Sequence, residues 1–474
     1  MKKEQHTDSF FHSSLVTDNQ FQPFEDFEKW FARHCKPEEF LVEEVPLDKM
    51  DKWQFDEGRN RLFHESGRFF SVEGIHTVTN FNGGMEWDQP IINQPEIGFL
   101  GFITKVFNGV RYFLMQAKME PGNINTLQIS PSLQATKSNF TQVHKGKRPT
   151  YLEYFNGEKK VKILSDQLQT EQGARFFRKR NRNIIIEVEE DIPVEDDFCW
   201  LTLGELKQLI RRDNVLNMDT RSVLSTVPLI DDSVASRIAH DLTPVLDERI
   251  SNLGLRYINS YIAENSVHST DEIISWYNQQ KVNYEMEVTR KPLSQLEGWT
   301  IGEMTISNSD RYFNVIGVNV KAGTREVRSW MQPLLKDKNV GLLAFITTEI
   351  NGVIHFLVQA KVEPGNLDII ELAPSVSCSN YEHVKERANR PFLFDEVFDN
   401  RNTVHYDALQ SEEGGRFFQI QNRNMIVESD HVNTKDIPSN FIWMTLRQMK
   451  EFMRYGMFSM EARSLISTID FVSA

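Results

Sequence analysis

The chain is poor in cysteine. Cys35, Cys199 and Cys378 are the only three in 474 residues, and none sits in a CxxC pair. That argues against a disulfide scaffold and against a zinc site built on cysteines. No stretch approaches the ~20 apolar residues that span a bilayer, and the polar run after Met1 lacks the apolar core of a signal peptide. A soluble cytoplasmic protein is expected. Basic excess is absent too. With 53 Lys and Arg against 67 Asp and Glu the net charge is −14, which disfavours a general nucleic-acid binder because such proteins displace counterions with a basic surface. One local Lys/Arg cluster would still suffice for a small anion. GxGxxG after a strand, GxxxxGK(S/T), HExxH and GxSxG are all missing, and the His residues show no repeated ligand spacing. Neither a metal nor a redox cofactor is expected.

What the sequence does contain is itself, twice. Phe113-Leu114-Met115-Gln116-Ala117-Lys118-Met119-Glu120-Pro121-Gly122-Asn123 returns as Phe356-Leu357-Val358-Gln359-Ala360-Lys361-Val362-Glu363-Pro364-Gly365-Asn366. Arg68 and Arg311, Trp87 and Trp330, Gly98 and Gly341, and Pro131 and Pro374 keep the same register, while Val42/Val288 and Pro46/Pro292 precede it in a slightly different one. Register changes mark loops, which tolerate insertions. The period is far longer than the ~20–50 residues of a solenoid, so it is domain-sized. The expected organisation is an arm over 1–23, repeat one over 24–228, a helical connector over 229–269 and repeat two over 270–474.

Each repeat opens on a helical pattern, Phe24, Phe27, Trp30 and Phe31 in one and Ile273, Ile274 and Tyr277 in the other. Strands are predicted at 68–75, 98–103 and 110–115, with Asn108-Gly109 and Asn351-Gly352 as hairpin turns. Thr202 is placed to cap a helix, and 231–262 reads as the connector helix. The fold class is α+β, with a mostly antiparallel sheet and marginal helices in each repeat.

Four recurring segments carry candidate chemistry. Trp53 and Trp299 read either as core plugs or as rings that stack on a base or sugar. Lys118 and Glu120, like Lys361 and Glu363, have the i, i+2 spacing that puts both on one strand face, as an ion pair or as a cation facing a substrate. Thr136, Lys137, Ser138, Asn139 and Phe140, with Ser377, Cys378, Ser379, Asn380 and Tyr381, form either a plain polar loop or a set of donors for phosphate or sugar. Gln172, Gly173 and Arg175, with Glu413, Gly414, Gly415 and Arg416, are either a turn with a structural Arg or a close backbone approach beside a phosphate-binding Arg.

Together these segments, with Trp-x-x-Leu at Trp200 and Trp443, resemble the NDP-hexose 2,3-dehydratase family of deoxysugar biosynthesis over nearly the whole chain. The resemblance implies two tandem Nudix-hydrolase-like domains, each with a dTDP-type pocket. The chain lacks the Nudix box, so magnesium-dependent pyrophosphate cleavage is not implied. The implied reaction is loss of water across carbons 2 and 3 of dTDP-4-keto-6-deoxy-D-glucose without metal or redox cofactor. An NADPH-dependent 3-ketoreductase would consume the product, and a homodimer is implied. Carried over by position, Trp53, Lys118, Thr136 to Phe140, Gln172, Gly173 and Arg175 bind substrate in repeat one. Trp299, Arg325, Arg328, Ser377 to Asn380, Gly414, Gly415 and Arg416 do so in repeat two. Repeat two is favoured for catalysis: Lys361 polarises the ketone, Tyr381 donates to the oxyanion and Glu413 is the base. His64 stays open as a base in repeat one or a surface residue. A tandem dTDP-sugar-binding protein without activity, or a divergent Nudix-type hydrolase, are the alternatives.

Overall fold

The computed structural model describes residues 10–140, 148–230, 248–308, 313–323, 329–337, 339–386 and 390–472. It has mixed α+β architecture in two similar halves. In each half a hairpin runs through the middle of the larger sheet: Gly98–Phe107 with Val110–Met119, and Gly341–Ile350 with Val353–Val362. Its turns are the expected Asn-Gly pairs. Both residues have positive φ, 49° and 81° in the first half and 53° and 79° in the second, the geometry that matches the twist of the flanking strands. Each sheet has seven strands, and its pairs are antiparallel except one at the centre. There, Arg180–Glu187 runs parallel to Gly98–Phe107, and Gln421–Glu428 parallel to Gly341–Ile350. The apolar runs of the central strands fit burial on both faces.

Two smaller sheets are hybrids. Phe40–Val45 of the first half pairs with Asn314–Ala322 of the second, and Met286–Lys291 of the second pairs with Ser71–Thr79 of the first. Each half thus lends its opening strand to the other. The main core is likewise shared, joining Phe113, Ile185 and Leu216 to Phe356, Ile426 and Phe458. Arg221 and Arg463, fully buried, tie the halves further: Arg221 Nε donates to Ser464 Oγ at 2.8 Å and Arg463 Nη2 to the Thr170 carbonyl at 2.5 Å.

The helices Phe24–His34 and Thr270–Asn283 open the halves as expected, and Thr202 and Thr445 each cap a helix through a reciprocal capping box. The strand expected at 68–75 begins instead at Ser71, because Gly67 and Phe69 take left-handed φ of 64° and 75° and turn the chain. Of the expected connector, Asn252–Ile262 is a helix capped by Ser251, while 231–247 lies outside the described residues. The N-terminal arm is packed from residue 10: Phe10 and Phe11 are buried, and Ser13 Oγ donates to the Arg111 carbonyl at 2.6 Å.

Candidate active site

The Glu-Pro-Gly-Asn turns do not face their own half. Gly122 N–H donates to the Gly414 carbonyl, and Gly365 N–H to the Gly173 carbonyl, each at 2.7 Å. Each turn therefore seats the Gly-x-Arg loop of the opposite half. Ala174 N–H also donates to Glu363 Oε2 at 3.0 Å. The loops carry their arginines across. Arg416 stacks on Phe70 of the first half with 4.1 Å to the ring centroid, and Arg175 on Phe313 of the second with 4.2 Å. The Trp side chains seal the same seam: Trp53 Nε1 donates to the Met331 carbonyl at 2.7 Å and Trp299 Nε1 to the Asp88 carbonyl at 2.8 Å.

Two cavities result, each built from both halves. One, of about 590 Å³, is lined by Trp53, Lys118, Glu120, Thr136 and Glu171 from the first half and Trp330, Glu413, Gly415 and Arg416 from the second. The other, of about 780 Å³, is lined by Trp299, Lys361, Glu363, Ser377, Cys378, Ser379 and Glu412 from the second half and Trp87, Gln172 and Arg175 from the first. The lysines are paired as the strand spacing predicted, Lys118 with Glu120 at 3.4 Å and Lys361 with Glu363 at 2.7 Å.

This geometry regroups the residues expected in each repeat. Glu413, expected beside Lys361, lines the Lys118 cavity, and Arg175 and Arg416 each serve the opposite half's cavity. Tyr381 lines neither of these two cavities. Its ring stacks on Phe398 under the Lys385 ammonium, beyond the strand end. Lys361, Tyr381 and Glu413 therefore do not share a site, because the loop exchange that spacing within one repeat cannot reveal separates them. Lys137 is exposed at the start of a short helix. Ser138 is buried, its N–H and Oγ both donating to Glu96 Oε2 at 3.0 and 2.9 Å. Asn380 caps the helix Tyr381–Lys385. Gly173 and Gly414 lie under the opposite turns. The side chains of Asn139 and Phe140 and the whole of Arg325 and Arg328 lie outside the described residues. His64 lines the Lys118 cavity with Nδ1 2.8 Å from Ser66 Oγ.

Sequence reasoning missed Glu171, Lys179, Asn181 and Asp219, all lining the Lys118 cavity. For three of them the signal was present: Glu171 and Asn181 recur as Glu412 and Asn422, and Asp219 falls at the position of Glu461 in a helix that repeats, whereas Lys179 has Ile420 at its place. Burial, then the charge of Glu413, lifts the Glu171 carboxyl to about 7. Burial lifts Glu413 as well, against the pull of Arg416. Burial lowers the Lys179 ammonium. In the other cavity burial, then Glu461, lifts Glu412 to about 7. Burial works against the Lys361 ammonium, but Glu363 and Glu461 outweigh it and raise its pKa. Each cavity thus combines a lysine paired with a glutamate, an arginine on an aromatic ring and buried carboxyls able to hold protons near neutrality. Among the described residues no group of three or more His, Cys, Asp or Glu side chains is set to hold a metal ion, and no helix is long and apolar enough to cross a membrane.

A sequence model of the NDP-hexose 2,3-dehydratase family matches residues 24–227 and again 270–469. The dTDP-4-dehydro-6-deoxy-alpha-D-glucopyranose 2,3-dehydratase of Saccharopolyspora spinosa is 42% identical over 467 residues, covering 98% of this chain and 94% of the relative. The enzymes of that name from Amycolatopsis orientalis and Streptomyces violaceoruber are 39% identical over 473 residues and 40% over 453. They cover 98% and 94% of this chain and 93% and 96% of their own lengths. The repeated loops, the paired cavities and these likenesses agree: the chain belongs to the NDP-hexose 2,3-dehydratase family.

Proposed function

We propose that this chain removes water across carbons 2 and 3 of dTDP-4-keto-6-deoxy-D-glucose, and that the Lys118 cavity carries the chemistry. The full-length family match supports the reaction. The choice of cavity rests on one contrast. Glu413 and Lys179 line it where the Lys361 cavity has Gln172 and Ile420, so at these two equivalent positions it carries an acid and an amine where the other carries an amide and an alkyl chain.

The ketone at carbon 4 acidifies the hydrogen on carbon 3. A base removes that proton, a cation steadies the enolate oxygen, and an acid protonates the departing hydroxyl of carbon 2. Lys118 serves as the cation, with Glu413 as the base. Arg416, held over the Phe70 ring, meets the diphosphate, and half-buried Trp330 offers a ring to the thymine. Arg175 and Trp87 offer the same to a nucleotide in the Lys361 cavity. The product enol tautomerises to a 3,4-diketo sugar, which an NADPH-dependent 3-ketoreductase reduces. Each half is read as Nudix-like, and the protein as a cytoplasmic homodimer.

The test is incubation with dTDP-4-keto-6-deoxyglucose, a 3-ketoreductase and NADPH, with product mass as readout. Loss of water with gain of two hydrogens is expected. Unchanged substrate with dTDP still bound would leave a nucleotide-sugar-binding protein instead.

A further inference from the structure

One difference between the two cavities lies at a buried carboxyl. In the Lys361 cavity Glu412 is held at both oxygens: Asn422 Nδ2 donates to Oε1 and Gln172 Nε2 to Oε2. In the Lys118 cavity Asn181 Nδ2 donates to Oε1 of Glu171 in the same way. The residue standing at the place of Gln172 is Glu413, which has no N–H to give. Glu171 is 4% exposed, and among the described residues its buried Oε2 has no hydrogen-bond partner. Where one cavity pairs an acid with an amide, the other sets two acids at the equivalent positions, close enough for the Glu413 charge to act on Glu171.

Two facing carboxyls in a poorly solvated site do not both ionise; together they hold one proton and one charge. Burial and the neighbouring Glu413 charge raise Glu171 in keeping with this. The remaining charges that face the pair are Lys118, Lys179, Arg416 and Arg463 on one side and Glu120 and Asp219 on the other. We propose, on the reading that the chain is a 2,3-dehydratase, that Glu171 and Glu413 form a proton-sharing pair that makes both proton transfers of the elimination.

The stereochemistry of the substrate fits a single pair. In a D-gluco ring the hydrogen on carbon 3 and the hydroxyl on carbon 2 lie on the same face, so both are reached from one side. Glu413, the less buried member, takes the carbon 3 proton while the C–H electrons form the enolate, whose oxygen faces Lys118. The enolate then collapses: the carbon 4 carbonyl re-forms, the double bond forms between carbons 2 and 3, and the carbon 2–oxygen bond breaks. The hydroxyl leaves as water with the proton of Glu171. The pair has gained one proton and given one, and ends with one proton and one charge, its members exchanged.

The experiment compares Glu413→Gln and Glu171→Gln for water loss, for exchange of the carbon 3 hydrogen in deuterium oxide and for dTDP binding. Glutamine at 413 copies what the chain already carries at 172, so the frame accommodates it. For Glu413→Gln, water loss is expected to fall about 10²–10⁴-fold and exchange to vanish, while dTDP affinity stays within about threefold. Glu171→Gln is expected to lose water elimination by a similar factor but to keep exchanging, since its base remains. Water loss by Glu413→Gln within about threefold of the parent, with Lys361→Ala abolishing it, would put the chemistry in the other cavity and overturn the proposal. Should Glu413→Gln misfold, Glu413→Asp carries the test: slowed exchange supports the pair and an unchanged rate overturns it. Failure of the unaltered protein to release water would defeat the dehydratase reading itself, a separate result.

Discussion

Gly122 donates its backbone N–H to the carbonyl of Gly414 across 2.7 Å, a bond from one half of the chain to the other that Gly365 and Gly173 repeat. It fixes where Arg416 and Glu413 stand relative to Lys118, so the site depends on a glycine outside the cavity lining.

A methyl group has no room there. A Cβ on Gly122 would lie 1.6 Å from the Phe417 carbonyl oxygen, and one on Gly365 1.8 Å from that of Phe176. Gly122→Ala and Gly365→Ala should each cost about 2–4 kcal/mol, combining overpacking with the strained or lost hydrogen bond. Urea unfolding midpoints measure this. Stability within experimental error of the parent would mean the turns do not dock the loops.

The crossed arginines make a site-specific prediction. Arg416→Ala should weaken dTDP binding in the Lys118 cavity about 10–100-fold, as loss of a charge-assisted contact does, and leave the Lys361 cavity intact. Arg175→Ala should do the reverse. Calorimetric titration of each variant, combined with Lys118→Ala or Lys361→Ala to identify the cavity affected, reads the pairing. Arg416→Ala weakening the Lys361 cavity instead would contradict the exchange.

Trp53 is 6% exposed and pinned to the Met331 carbonyl, which makes it chiefly a seal between the halves. Trp53→Phe should lower stability by about 1–2 kcal/mol through the unsatisfied carbonyl while changing dTDP affinity less than about threefold. Trp330→Ala should show the opposite balance. A large loss of affinity in Trp53→Phe would restore the ring as a base-stacking platform.

Acid stability should depend on Glu428. Burial works to raise its carboxyl, but hydrogen bonds from His405 and Arg256 prevail and hold it at about 2. A folded-state value below the unfolded one contributes stability above about pH 4–5, and that contribution is lost as pH falls toward 2. Melting temperatures from pH 6 to pH 3 should therefore fall less steeply for Glu428→Gln than for the parent. Parallel curves would show that the cluster carries no such linkage.

Much of the fold is legible in the sequence. The repeat, the Asn-Gly hairpins, the Thr202 cap and the Lys-Glu strand face are local, written in spacing and in φ preferences that act over a few residues. Even the family was legible, because whole segments recur. The sequence by itself determined which side chains recur in register: Lys118 with Lys361 and Arg175 with Arg416, with Glu413 at the place of Gln172. The tertiary structure alone decided which of them meet. A duplicated chain can fold each copy on itself or exchange strands and loops between copies, and both arrangements satisfy the same hydrophobic periodicity and the same turns. What selects the exchange is long-range packing, in which Phe40–Val45 pairs with Asn314–Ala322 and the Gly122 turn closes on Gly414. Residues about 290 apart in sequence are brought together by a shared core, and no local pattern encodes that choice. That is why Glu413 belongs to the cavity of Lys118 rather than that of Lys361.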